Sequence, residues 1–169
     1  MTSPKNSAVT SAGLEEKEPL KIILAEDDKD DQELFMEALD ATNVPSEVTT
    51  VENGQELLNA LKDPDEPNPD IVFIDINMPV KGGKEALAEI KSDNELKDIP
   101  AVMLSTSNHP RDIEETFNKG ANLYVQKPSS FNGFILVLKK VFVLHWTKAL
   151  LDPVKNIFFV SEKNISHKD

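Results

Sequence analysis

Hydrophobic residues recur along this chain in two alternating rhythms. Short apolar runs stand at Ile22-Ile23-Leu24-Ala25, Val48-Thr49-Thr50-Val51, Ile71-Val72-Phe73-Ile74, Ala101-Val102-Met103-Leu104 and Leu123-Tyr124-Val125. Between and after them, helical patterns lie near 29–42, 54–62, 83–92, 110–119 and 130–146. The first rhythm predicts strands and the second amphipathic helices. Three of the strands lack polar alternation, as expected where helices cover both faces of a parallel sheet. Five β–α units in sequence predict a doubly wound α/β domain over residues 20–146. Punctuation agrees: the Pro-rich stretch from Asp63 to Pro69 allows no helix, and Gly120 stands where the fourth helix should stop. Residues 1–19 lack either rhythm and predict a disordered arm, while residues 147–169 form a C-terminal extension.

Composition narrows the function classes. At 169 residues, 39% hydrophobic and 28% charged, the chain suits one domain with a core of its own. Cys is absent, which removes disulfides, thiolate catalysis and Cys-ligated metals. A formal charge of -12 repels nucleic acid and anionic lipid, and no basic run offsets it. No segment reads as a secretory signal or a membrane span, so a cytoplasmic protein is expected, with no nucleic-acid or membrane partner.

In a doubly wound sheet, function gathers at the carboxyl ends of the strands, above all between the first and third. Strand one runs into Glu26-Asp27-Asp28, strand three into Asp75, strand four into Ser105-Thr106, and strand five into Lys127-Pro128. Folding brings these groups into one shallow crevice. Carboxylates so close repel one another unless a cation sits among them, and an all-oxygen donor set without clustered His suits Mg²⁺. Asp27 and Asp75 are the expected direct ligands, with Glu26 acting through water and the backbone oxygen of Asn77 as a further ligand. With its charge neutralised, Asp75 can accept a phosphoryl group as an acyl phosphate, held by Lys127 and by the Ser105 hydroxyl. His109, His145 and His167 are too scattered for a metal site.

Together these residues resemble the receiver domains of two-component response regulators. The resemblance rests on the acidic pair Glu26-Asp27, the phosphoacceptor run Ile74-Asp75-Ile76-Asn77-Met78-Pro79, the hydroxyl switch Ser105, the aromatic switch Tyr124 and Lys127-Pro128. Glu26-Asp27-Asp28-Lys29-Asp30-Asp31 and Leu104-Ser105-Thr106-Ser107 look most like the regulators paired with bacterial phytochrome kinases. The resemblance implies a flavodoxin-like, five-stranded sheet of order 2-1-3-4-5. It also implies phosphorylation of Asp75 by a sensor histidine kinase or a phosphotransfer protein. Output then passes through the surface of helix four, strand five and helix five. Glu26 stands where the family more often has Asp, and Thr106 where it usually has a smaller residue.

Such a protein is a signalling switch and no enzyme toward external substrates; it catalyses only its own phosphorylation and dephosphorylation. A haloacid-dehalogenase-type phosphatase needs a second Asp two residues beyond the nucleophile, where this chain has Asn77. A flavodoxin-type phosphate loop is contradicted by the acids after strand one. The Lys127-Pro128 bond is expected to be cis, aiming the ammonium over the crevice. Helix five is apolar nearly all round: Phe131, Phe134, Leu138, Val141 and Phe142 form its core stripe, and Ile135, Leu136, Val137, Val143, Leu144 and Trp146 add further apolar groups. Either a homodimer through helix four, strand five and helix five covers it, or Leu150, Leu151, Ile157, Phe158, Phe159 and Val160 fold back. The break at Asp152-Pro153 favours the dimer.

Overall fold

A computed structural model describes residues 18–146, 150 and 158–166. Six parallel strands are β1 (Leu20–Ala25), β2 (Ser46–Val51), β3 (Ile71–Asp75), β4 (Ala101–Ser105), β5 (Leu123–Gln126) and β6 (Phe159–Val160). The helices are α1 (Lys29–Ala41), α2 (Gly54–Leu61), α3 (Gly83–Ser92), α4 (Pro110–Asn118), α5 (Phe131–Trp146) and α6 (Glu162–Ser166). The sheet order is β2-β1-β3-β4-β5-β6. The expected order of the first five strands is therefore met, with one strand more than the sequence pattern predicts.

The central strands explain their own composition. Every residue of β3 and β4 is buried, because consecutive side chains point to opposite faces and both faces are covered. Ile71 and Phe73 face the layer that holds Phe35 of α1 with Phe134 and Phe142 of α5. Val72 and Ile74 face Leu57, Leu58, Leu87 and Ile90 of α2 and α3. On the first side, Phe35 meets Phe73 edge-on at 5.0 Å and Phe73 meets Phe142 at 6.5 Å, a favoured arrangement for aromatic quadrupoles.

Helix starts are set by local hydrogen bonds. The Asp28 carboxylate accepts from the amides of Asp30 (2.8 Å) and Asp31 (3.1 Å), so α1 begins directly at the end of β1. Asn53 caps α2 by accepting from the Glu56 amide at 2.9 Å. His109 Nδ1 accepts from the Arg111 amide at 3.1 Å, which gives this histidine a capping role before Pro110 at the start of α4. The Ser130 hydroxyl accepts from the Gly133 amide at 3.0 Å and starts α5. Gly83 lets α3 approach the crevice, since a Cβ there would lie 2.1 Å from the Asp75 carbonyl oxygen.

Two expectations are corrected. The Lys127-Pro128 bond is trans; the Lys127 amide donates to Ser105 O at 2.8 Å, so the strand itself aims the side chain and no turn is needed. Phe131 is exposed, and the buried stripe of α5 runs through Phe134, Val137, Leu138, Val141, Phe142 and Leu144 instead. Of the two coverings expected for the last helix, the return of the tail onto its own chain is present. β6 pairs with the outer edge of β5 through Tyr124 opposite Phe159 and Val125 opposite Val160. Leu150, Phe158 and Val160 are buried there, while Leu151 and Ile157 lie outside the described residues. A sheet edge left open is a ready template for another strand, and here the chain supplies it.

Replacing Phe73 by Ala removes the ring that links Phe35 to Phe142. Urea denaturation should show a loss of about 3–5 kcal/mol, the usual range for emptying a buried Phe site; a loss below about 1 kcal/mol would mean that the α1 and α5 layer collapses onto the sheet without it.

Candidate functional site

The ends of β1 and β3 and the first turn of α1 converge on one ammonium, which reaches them from the end of β5. Lys127 Nζ donates to Asp75 Oδ2 at 2.5 Å, to Glu26 Oε2 at 2.7 Å and to Asp31 Oδ2 at 3.2 Å. Glu26 and Asp75 are buried, while Asp31 is half-exposed. One carboxylate oxygen from each of Glu26, Asp31 and Asp75 lies within 4.8 Å of the other two. The second oxygens of Asp75 and Glu26 are also bound: Asp75 Oδ1 accepts from the Asn77 amide at 2.7 Å, and Glu26 Oε1 from the Asp28 amide at 3.1 Å.

Sequence reasoning placed Glu26, Asp75 and Lys127 together, and the structure brings them together. Asp27 is exposed and does not belong to the three-carboxylate group. Asp31 is the third acid of that group, a residue that the sequence places only within an acidic helix start. Its signal was available: with Asp28 as the cap, Asp31 falls in the first turn of α1, where side chains lean back toward the N-terminus and so toward the end of β1. Asn77 enters through its amide, which orients the Asp75 carboxylate. Gln32, also unanticipated, donates from Nε2 to the Glu26 carbonyl at 2.6 Å and ties α1 to the end of β1.

Ser105 is buried at the end of β4, and its hydroxyl accepts from the Ser107 amide at 3.1 Å. Tyr124 is fully buried, and its hydroxyl donates to the Ser107 carbonyl at 2.8 Å. The aromatic ring thus points inward. Thr106 borders a small cavity of about 100 Å³ that it shares with Glu26, Asp31, Lys127 and Phe134.

Electrostatics follow from burial and charge count. Burial pushes the Glu26 carboxyl up to about 8; its hydrogen bond to Asp75 adds to the rise and Lys127 opposes it. Burial alone would lower Lys127, but the Asp75 and Glu26 carboxylates hold it above the ordinary lysine range. One ammonium therefore sits among three acids, with a proton retained on Glu26 near neutral pH. A divalent ion suits this donor set, which offers hard carboxylate oxygens in excess of the local positive charge. Glu26, Asp31 and Asp75 can hold such an ion.

Residues 22–139 match the response regulator receiver domain family. The response regulator Rcp1 of Synechocystis sp. is 34% identical over 131 residues, covering 75% of this chain and 89% of Rcp1. The crystal structure of the phosphorylated cyanobacterial phytochrome response regulator RcpA superposes with a TM-score of 0.71 at 37% identity, covering 80% of this chain and 99% of RcpA. The Mn²⁺-bound form of Rcp1 superposes with a TM-score of 0.62 at 30% identity, over 80% of this chain and 97% of that one. With the match spanning most of the sheet and every strand end of the crevice, the chain belongs to the response regulator receiver domain family.

Proposed function

We propose that this receiver takes a phosphoryl group on Asp75 from a sensor histidine kinase of the phytochrome type, or from a phosphotransfer protein, with Mg²⁺ at the crevice. The observation that carries this reading is the Asp75 carboxylate, held between the Lys127 ammonium and the Asn77 amide at the carboxyl edge of β3. An Asp75 oxygen attacks phosphorus, the P–N bond of the donor phosphohistidine breaks, and imidazole leaves with its electron pair. Mg²⁺, when bound, supplies positive charge to the transferring oxygens. Lys127 then turns from the carboxylate to a phosphoryl oxygen, and the Ser105 hydroxyl donates to another. The chain therefore catalyses only its own phosphorylation and hydrolysis. A cytoplasmic setting fits a kinase-fed switch, and among the described residues no helix is long and apolar enough to cross a membrane.

Its partners are proteins, since the net charge of -12 disfavours nucleic acid. On α5, Leu136, Val143 and Trp146 remain 43%, 54% and 48% exposed along one helical stripe. This stripe supports a homodimer whose helix-five side buries them, in a chain whose β5 edge is already taken by β6. Sedimentation should then show a dimer that Leu136→Lys shifts toward monomer; a wild-type chain that stays monomeric at high concentration would contradict it.

Two tests address the site. Incubation with acetyl phosphate and Mg²⁺ should add one phosphoryl group by intact mass, and both Asp75→Asn and a chelator should abolish it. Unchanged labelling of Asp75→Asn would place the acceptor elsewhere. The second test uses pH. Folded Glu26 keeps its proton to about 8, whereas the unfolded chain releases it near 4.5, so the folded state binds more protons between those values. Stability from this group is accordingly lost as pH rises through that window. In chelator, wild type should lose urea resistance from pH 5 to 8.5 relative to Glu26→Gln, and Mg²⁺ should reduce the loss by replacing the proton. Parallel pH profiles for the two proteins would remove Glu26 from the electrostatics of the site.

A further inference from the structure

The C-terminal segment does more than close a sheet edge, because it lands on Tyr124, the aromatic residue tied through Ser107 to Ser105 at the end of β4. The Tyr124 amide donates to Phe158 O at 2.9 Å. Its ring has Phe158 at 6.5 Å and Phe159 at 5.9 Å between centroids, and Phe158 in turn meets Phe117 of α4 edge-on at 5.0 Å. On its other side the Tyr124 hydroxyl is held by the Ser107 carbonyl, and the Ser107 hydroxyl donates to Asp112 Oδ2 at 3.0 Å. Ser107 also contacts Ser105, the hydroxyl at the end of β4. The inward ring is thus fastened at its tip by the β4–α4 loop, and along its face and backbone by the tail.

The tail is shaped for this place. Ser161 and Asn164 cap α6 reciprocally, the Ser161 amide donating to Asn164 Oδ1 at 2.9 Å and the Asn164 amide to Ser161 Oγ at 3.3 Å. Glu162 lies against Gly133 of α5, where a Cβ would come within 2.4 Å of the Glu162 Cδ. The glycine in the first turn of α5 is explained by that approach. Between Thr106 and Lys127 on one wall and Ser161, Glu162 and Lys163 on the other runs a groove of about 360 Å³, so the end of the tail borders the rim of the crevice.

We propose that residues 158–166 are an intramolecular effector of the Asp75 site: docked on β5, they hold Tyr124 inward and so favour the phosphorylated arrangement. This rests on the phosphoacceptor reading given above. A Ser105 hydroxyl drawn to a phosphoryl group vacates space that favours the inward ring, and the docked tail favours the same ring position. Two events that favour one state strengthen each other, and the coupling is reciprocal. Phosphorylation tightens the tail, and loosening the tail weakens the phosphorylated state.

Beryllofluoride with Mg²⁺ tests this at equilibrium, because it adds to a phosphoacceptor carboxylate without a turnover step. Its binding to the full chain is read by ¹⁹F resonances, and the tail by hydrogen exchange of the Tyr124 amide, whose acceptor is Phe158 O. Beryllofluoride should slow that exchange by about fivefold or more, the lower end of ordinary couplings between sites. Phe159→Ala, at a half-buried position, should speed the exchange and weaken beryllofluoride binding by a similar factor, with Phe159→Leu intermediate. Bound beryllofluoride with unchanged Tyr124 exchange would overturn the proposal alone, as would Phe159→Ala and Phe159→Leu that both bind it as tightly as wild type. A wild-type chain that shows no bound fluoride would overturn the phosphoacceptor reading, and this proposal with it.

Discussion

Three carboxylates around one ammonium are the constraint on which the rest of this structure turns. Glu26, Asp31 and Asp75 come from the end of β1, the first turn of α1 and the end of β3, and Lys127 reaches them from the end of β5. Such a group is unstable by itself, since two of the acids are buried and their mutual repulsion is not screened by water. It persists because the ammonium is shared and because burial shifts the Glu26 carboxyl toward its neutral form. The same imbalance makes the crevice receptive to added positive charge. Strand order follows from the same requirement: only with β1 beside β3, and β5 two places away, do these ends share one edge.

Beyond the crevice, the fold supplies a rigid floor and a responsive side. The floor is the fully buried pair β3 and β4, packed through Phe73 on one face and through Val72 and Ile74 on the other. The responsive side is the ladder of contacts from Ser105 through Ser107 to Tyr124, then to Phe158, Phe159 and α4. Lys84 joins that side to α3 by pairing with Asp112 and Glu115, both at 2.7 Å. A change at Ser105 therefore meets a connected set of hydrogen bonds and rings.

Much of this was legible in the sequence because the responsible signals are local. Unbroken apolar runs gave β3 and β4, and turn residues such as Gly120, with φ +96, marked where helices stop. The strand-end identities gave Glu26, Asp75, Ser105 and Lys127. What escaped depends on orientation or on distant partners. Asp31 resembled every other acid at a helix start, and its role appears only when the capped turn leans over the end of β1. Phe131 fits the spacing of a core stripe, yet at the first position of α5 it points to solvent. The tail was undecided from sequence, because a two-residue strand carries almost no periodicity and its docking is specified across the chain, by Gly133 beneath Glu162 and by Tyr124 against Phe158.

The shared ammonium is tested most directly by replacing Lys127 with Met and following thermal unfolding at pH 8.5, with chelator and with Mg²⁺. Without the ammonium the three carboxylates face one another uncompensated. Lys127→Met should therefore unfold at a lower temperature than wild type in chelator and regain more stability than wild type on adding Mg²⁺. A variant as stable as wild type in chelator, with no larger response to Mg²⁺, would contradict the view that one cation holds this crevice together.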